Sequence, residues 1–198
     1  CLLFTTSCSD FLDEEHKTKY SSEYVFGTPE GLKLAVNALY ALQRYYANDT
    51  ENATIFALER GTDLAVTNGG TGNFYGIYDP NYLKPSASQV GFMWRTMYQI
   101  IGKANEIIAA AEDLEDTPSL RATVSEAKCF RAQSYFLLYR TFDRIWLNIQ
   151  PTTAENVNDP RDFHAASEKE VFDLIYEDLE YAITNLDWVS DEAGRFTQ

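Results

Sequence analysis

The sequence predicts an all-α fold of antiparallel helix hairpins interrupted by one long irregular loop. Three observations carry that expectation. Apolar residues recur at helical spacing in four separate stretches. Helix-start signals precede three of them. Between the first and second stretches lies a run rich in Gly, Asn, Asp and Pro that breaks every regular pattern.

The first stretch, "GTPEGLKLAVNALYALQRYY", opens with Thr28 as N-cap and Pro29 at the first helical position. Leu32, Ala35, Val36, Leu39, Gln43 and Tyr46 follow at helical spacing, predicting a helix over 29–46. Residues 47–55 form a polar loop, and "FALERGTDLAV" is a short helix or an extended segment. Residues 67–88 are the longest irregular segment, and such loops inside compact domains are often functional.

A second helix is predicted over 89–114, with Val90, Trp94, Met97, Ile101, Ala104, Ile108 and Ala111 on one stripe. Met93, Ile100, Ile107 and Leu114 widen that stripe, so the helix is expected to be buried on most sides. Thr117 and Pro118 open a third helix, 118–142, with Leu120, Val124, Ala127, Phe130, Ser134 and Leu138 facing inward. A fourth, 168–187, begins with a capping box between Ser167 and Glu170. Val171, Leu174, Ile175, Leu179, Ala182, Ile183 and Leu186 then follow as its apolar face. The small residues Ala104, Ala127 and Ala132 allow close helix approach. Stacked hairpins of this kind are tetratricopeptide-like, although the 34-residue consensus does not recur cleanly. "DEAGRFTQ" follows a finished helix without a closing cap, and the chain is expected to be a fragment of a longer array.

Composition narrows the function classes. The chain has 198 residues, a formal net charge of −14 and 30 acidic against 16 basic residues. Phosphate binding needs a basic face and none is visible, which argues against nucleic acid and against a polybasic grip on lipid. No apolar run approaches the ~18 residues of a spanning helix. The cysteines are Cys1, Cys8 and Cys129, with no metal-ligand spacing, and His16 and His164 lie far apart. Cys129 sits in an apolar helical pattern as a small core residue. Aromatic content is 14%, with 13 Tyr, 12 Phe and 3 Trp, suited to helix packing and to stacking on amphipathic ligands.

Catalytic signatures are absent. The sequence holds no G-x-S-x-G, H-E-x-x-H or G-x-x-x-x-G-K-[ST] motif. Gly70, Gly72 and Gly76 miss the dinucleotide fingerprint by one position and lack a strand–helix frame. Glu59 and Asp63 stand one helical turn apart, but such a pair is expected by chance among 30 acids. No cofactor and no metal are expected. Asn48 and Asn52 are formal glycosylation sequons.

The N-terminal stretch "CLLFTTSCSD" points to a bacterial lipoprotein, in which the two sequons carry no meaning. Leu2, Leu3 and Phe4 pass through the small residues Thr5, Thr6 and Ser7 to Cys8, in the manner of a lipobox. Residues 1–7 are then the residual end of a signal peptide and Cys8 the lipid-bearing first residue of the mature chain. Residues 8–27 form its tether, and 28–198 the helical domain. The bland alternative is an apolar edge with a core cysteine.

The blocks that follow resemble the SusD/RagB family of outer-membrane nutrient-binding lipoproteins. "CSDFLDEE" is similar to its mature N-terminus, and "YVFGTPEGLKLAVNALYALQRYY" to its first helix. "ALERGTDLAV" matches its Glu-Arg-x-x-Asp stretch. Trp94, Tyr98, Ile101, Ala104 and Asn105 match a Trp-x-x-x-Tyr-x-x-Ile-x-x-Ala-Asn helix. Glu126, Ala127, Arg131, Ala132, Tyr135 and Phe136 match a Glu-Ala-x-x-x-Arg-Ala-x-x-Tyr-Phe helix, and "SEKEVFDLIYEDLEYAITNL" the one after it. The family usually continues Phe-Gly-x-Val-Pro-Leu, whereas this chain has "FDRIWL", with Asp143 where Gly would end the helix and Trp146 in place of Pro.

The resemblance implies a surface lipoprotein that captures glycan and acts as a lid on a SusC-like TonB-dependent transporter, without catalysis. Its partners would be that transporter and an oligosaccharide or polysaccharide, with no nucleic acid and the membrane reached only through the lipid. It implies a shallow site where aromatic rings stack on sugar faces beside polar side chains. The irregular loop offers Phe74, Tyr75, Tyr78 and Tyr82, with Asp63, Asn68 and Asn73 as polar partners. The same rings could instead anchor the loop to the bundle. The acidic residues Asp10, Asp13, Glu14 and Glu15 resemble signals that send such lipoproteins to the outer face, or are a solvated linker. A helical-repeat scaffold that binds only protein, and a glycosidase with two carboxylates across a cleft, are the other classes in play.

Overall fold

In a computed structural model of the chain, the described residues are 21–48, 84, 86, 88–153, 155–160 and 163–198, with 88 and 89 described by backbone alone. Five helices cover most of them: α1 (Ser22–Gly27), α2 (Pro29–Asn48), α3 (Ser88–Ala111), α4 (Pro118–Thr141) and α5 (Glu168–Asn185). No strand occurs among the described residues. The predicted all-α architecture is therefore the observed one.

Local chemistry starts three of the helices where the sequence placed them. Thr28 Oγ1 accepts from the amide of Gly31 at 3.0 Å, with Pro29 next in the chain. Thr117 Oγ1 accepts from the amide of Leu120 at 3.1 Å. At α5 the capping box is complete, with Glu170 Oε2 accepting from the Ser167 amide at 2.8 Å.

The helix α1 falls in the segment assigned to the tether. Its start is capped by the Ser21 side chain, and its backbone lies directly on α2 at Gly31. A Cβ there would overlap the carbonyl oxygens of Tyr24 and Val25, so only glycine allows this approach.

Successive long helices run antiparallel. Tyr46 stacks on Phe92 and Ala35 faces Ile107 across one groove, pairing the end of α2 with the start of α3. Trp94 meets Phe142 while Asn105 meets Arg131, pairing α3 with α4. Tyr139 meets Phe172 while Lys128 meets Asp178, pairing α4 with α5. The core along these seams includes Leu32, Val36, Met97, Ile101, Phe130, Leu138 and Val171, none more than 1% exposed. Burial of such side chains contributes about 1.5–3 kcal/mol each.

Three helices differ from expectation in what they bury. All six predicted inward residues of α4 are buried, and so are Ser125, Lys128, Arg131 and Tyr135. The helix is enclosed on nearly every side by α2, α3, α5 and the chain that follows it. On α5, Val171, Leu174, Ile175 and Ala182 are buried, but Leu179 is 39% and Ile183 54% exposed. Both lie on a second apolar stripe with Tyr176, which lines an open groove of about 590 Å³ shared with Phe136. Trp94 likewise stands at the rim of α3, at 36% exposure.

The last residues fold back on the bundle. Arg195 bonds Glu126 of α4 at 3.1 Å and Asn37 of α2 at 2.6 Å. The hydroxyl of Tyr40 donates to Glu126 and accepts from the amide of Phe196, whose ring packs on Phe130.

Candidate functional site

Residues 142–153 leave the end of α4, beside the start of α3, and run as an irregular strap across both helices past Tyr98, Asn105 and Tyr135. The helix ends at Phe142, which is extended (φ −120°, ψ 133°) and still donates its amide to Leu138. The chain thus exits α4 through Phe142, ahead of Asp143.

Two tyrosine hydroxyls fix the strap. Tyr98 Oη donates to the carbonyl of Trp146 and accepts from its amide, both at 2.8 Å. Tyr135 Oη does the same at Asn148, at 2.7 and 2.8 Å. Asn105 Nδ2 adds a bond to the Asn148 carbonyl at 2.9 Å. Backbone groups of an irregular segment need such partners when they are covered by protein. Burial pushes both hydroxyls above the usual tyrosine value, although the backbone bonds oppose it. The protons therefore stay in place to donate.

Beneath the strap lies a buried polar network. Arg131 donates Nε and Nη2 to the two oxygens of Asp178 at 2.7 and 2.8 Å, and Nη1 to Asn105 Oδ1 at 2.8 Å. Lys128 Nζ also bonds Asp178, at 2.8 Å. Asp178 is fully buried, so its two cations and bidentate geometry are what make its charge tolerable there. The chain of contacts from Asp178 through Arg131 and Asn105 to Asn148 links α5, α4, α3 and the strap. Cys129 is buried beside it, and burial, with Glu126 and Asp178 nearby, raises its thiol to about 12. It is a core residue and not a nucleophile.

Over the same end of the bundle runs a line of aromatic rings. Phe142 meets Trp94 edge-on at 5.0 Å, and Trp94 meets Tyr98 at 4.8 Å. Tyr98 stacks with Trp146 at 6.4 Å, and Trp146 meets Phe163 at 4.8 Å. Phe163 is 70% exposed. The strap and the turn over 155–160 enclose a cleft of about 300 Å³ lined by Trp146, Asn148, Gln150, Pro151, Asn156 and Asp159 together with Pro160.

Asp63, Asn68, Asn73, Phe74, Tyr75, Tyr78 and Tyr82, the expected glycan contacts, lie outside the described residues, as do Cys8 and the Glu59–Asp63 pair. Among the described residues no group of His, Cys, Asp and Glu could hold a metal ion. No described helix is long and apolar enough to cross a membrane. The strap, its tyrosine clamps and the Trp146–Phe163 pair were not foreseen as a site. The signal that could have found them was the polar residues of the matched helices, Tyr98, Asn105, Arg131 and Tyr135, placed on otherwise apolar faces.

Comparison with known proteins gives this geometry a family. Residues 10–198 match a SusD-like family described as starch-binding associating with outer membrane. A SusD-like protein P2 of Formosa agariphila is 29% identical over 194 residues, covering 96% of this chain and 37% of the relative. A SusD-like protein of Bacteroides ovatus is 27% identical over 209 residues, covering 99% and 35%. Among solved structures, a laminarin-binding SusD-like protein superposes with a TM-score of 0.70 at 26% identity, covering 85% of this chain and 37% of that one. A SusD homologue from Bacteroides thetaiotaomicron superposes with a TM-score of 0.70 at 21% identity, which speaks to the fold alone. The chain spans just over a third of the length of these relatives. The helices, their order and the match across nearly the whole sequence make it a member of the SusD-like family.

Proposed function

We propose that this chain is part of a cell-surface glycan-binding lipoprotein that hands oligosaccharide to a SusC-like TonB-dependent outer-membrane transporter. The observation that carries the reading is the family match over residues 10–198, supported by the likeness to a laminarin-binding protein. The loop aromatics Phe74, Tyr75, Tyr78 and Tyr82 are the proposed stacking surface, with Asp63, Asn68 and Asn73 bonding hydroxyls. Cys8 is the proposed lipid anchor, so that the membrane is reached through acyl chains and not through a protein span.

Alanine at Tyr75, Tyr78 and Tyr82 together is expected to abolish retention of the full-length protein in a glycan affinity gel; unchanged retention would remove the loop assignment. Labelled fatty acid should enter the wild type and not Cys8→Ala, and equal labelling sinks the anchor. A protein that ignores every glycan yet still captures the transporter would be an interaction scaffold instead.

A further inference from the structure

We propose that the cleft between the strap and the 155–160 turn, together with the exposed Phe163 ring that packs beside it on Trp146, is a second glycan-contact site, with Trp146 as its aromatic wall and Gln150 and Asp159 as hydroxyl partners. It takes a short stretch of an extended oligosaccharide. The inference rests on the glycan-binding reading above but concerns different residues from those of the Tyr75–Tyr82 loop.

The chemistry of the lining selects the ligand. At about 300 Å³ the cleft sits at the lower end of the ~300–1,000 Å³ of small-molecule sites, enough for a small polar unit but not a large ligand. One wall is aromatic and the rest is amide, carboxylate and proline. A pyranose matches that mixture, because it presents C–H faces to an aromatic ring and hydroxyls at its rim to acceptors and donors. An anionic ligand does not fit, since Asp159 lines the cleft and no cation does among the described residues. Among the described lining residues Asp159 is the single carboxylate, too few ligands for a divalent ion. An apolar peptide would leave Gln150, Asn148 and Asp159 without partners.

The cleft is also built before any ligand arrives. Asn156 uses both ends of its amide in its own turn, donating to the Pro151 carbonyl at 3.0 Å and accepting from the Thr153 amide at 2.8 Å. The opposite wall is held by the Tyr98 and Tyr135 clamps. Walls fixed in this way leave little ordering cost to binding. Phe163 presents a largely exposed ring packed against Trp146, within reach of a ligand that leaves the cleft.

Isothermal titration of the full-length protein with hexasaccharides from laminarin, xyloglucan and starch tests the proposal. Whichever of them binds the wild type should lose about tenfold in affinity with Trp146→Ala and with Phe163→Ala. Trp146→Phe should keep most of the affinity. The strap keeps its path in Trp146→Ala, because Tyr98 bonds the backbone of residue 146 and not its side chain. Phe163→Ala removes an exposed ring and leaves the fold intact. If the wild type binds and both alanine variants bind equally well, the cleft is not a glycan site while the glycan-binding reading stands. If both variants keep glycan affinity and lose transporter capture, the patch belongs to a protein partner and the proposal fails. If the wild type binds no glycan, the general reading fails and takes this one with it.

Discussion

Asp178 is the residue on which the polar interior turns. Its carboxylate receives three bonds from Arg131 and Lys128 inside the helix pair, and Arg131 in turn holds Asn105. Burying one anion against two cations is tolerable only while every oxygen is satisfied. Asp178→Asn removes the charge and leaves Lys128 and Arg131 buried without a counter-ion. The expected cost is about 3–5 kcal/mol, read as a lowered urea midpoint. Little of this pairing is legible in sequence. The positions of Asn105, Arg131 and Asp178 on their helices follow from periodicity, but their partners lie 26 and 47 residues apart and only packing brings them together.

At the scale of elements, helix starts are local events and were the most readable feature. Thr28, Thr117 and Ser167 each bond an amide three residues on, so a four-residue window contains the whole cause. The Ser167–Glu170 box carries a pH signature. The hydrogen bonds from the Ser167 hydroxyl and amide hold the Glu170 carboxyl below its ordinary value. A carboxyl depressed in the folded state stabilises above its unfolded pKa, and that gain is lost as pH falls through the folded value. Ser167→Ala should cost about 1 kcal/mol at neutral pH and lose less on acidification than the wild type, as thermal melts between neutral and acid pH would show. The faces of α5 were harder to read than its start. It carries one apolar stripe into the core and a second, with Tyr176 and Ile183, outward, and periodicity cannot say which stripe is covered. The strap was opaque for a related reason. Its shape comes from hydroxyls of α3 and α4, and nothing within residues 142–153 records them.

Across its described residues the molecule is a row of antiparallel helices crossed by an irregular strap, and irregular chain on a rigid scaffold is where binding residues concentrate. In this chain the scaffold is α2 to α5, locked by the Asp178 network and by the Arg195 and Tyr40 contacts with Glu126. The aromatic run from Phe142 to Phe163 is the described surface proposed above to meet a sugar. A strongly acidic chain gains nothing from a charged partner of its own sign, and a neutral glycan is bound through stacking and hydroxyl bonds with little dependence on salt. The most direct test is native affinity electrophoresis of the full-length protein through gels containing laminarin, xyloglucan or starch. Retardation in at least one of the three, unchanged by added salt, is the predicted result; migration identical to that in a glycan-free gel in all three would contradict glycan binding as the function.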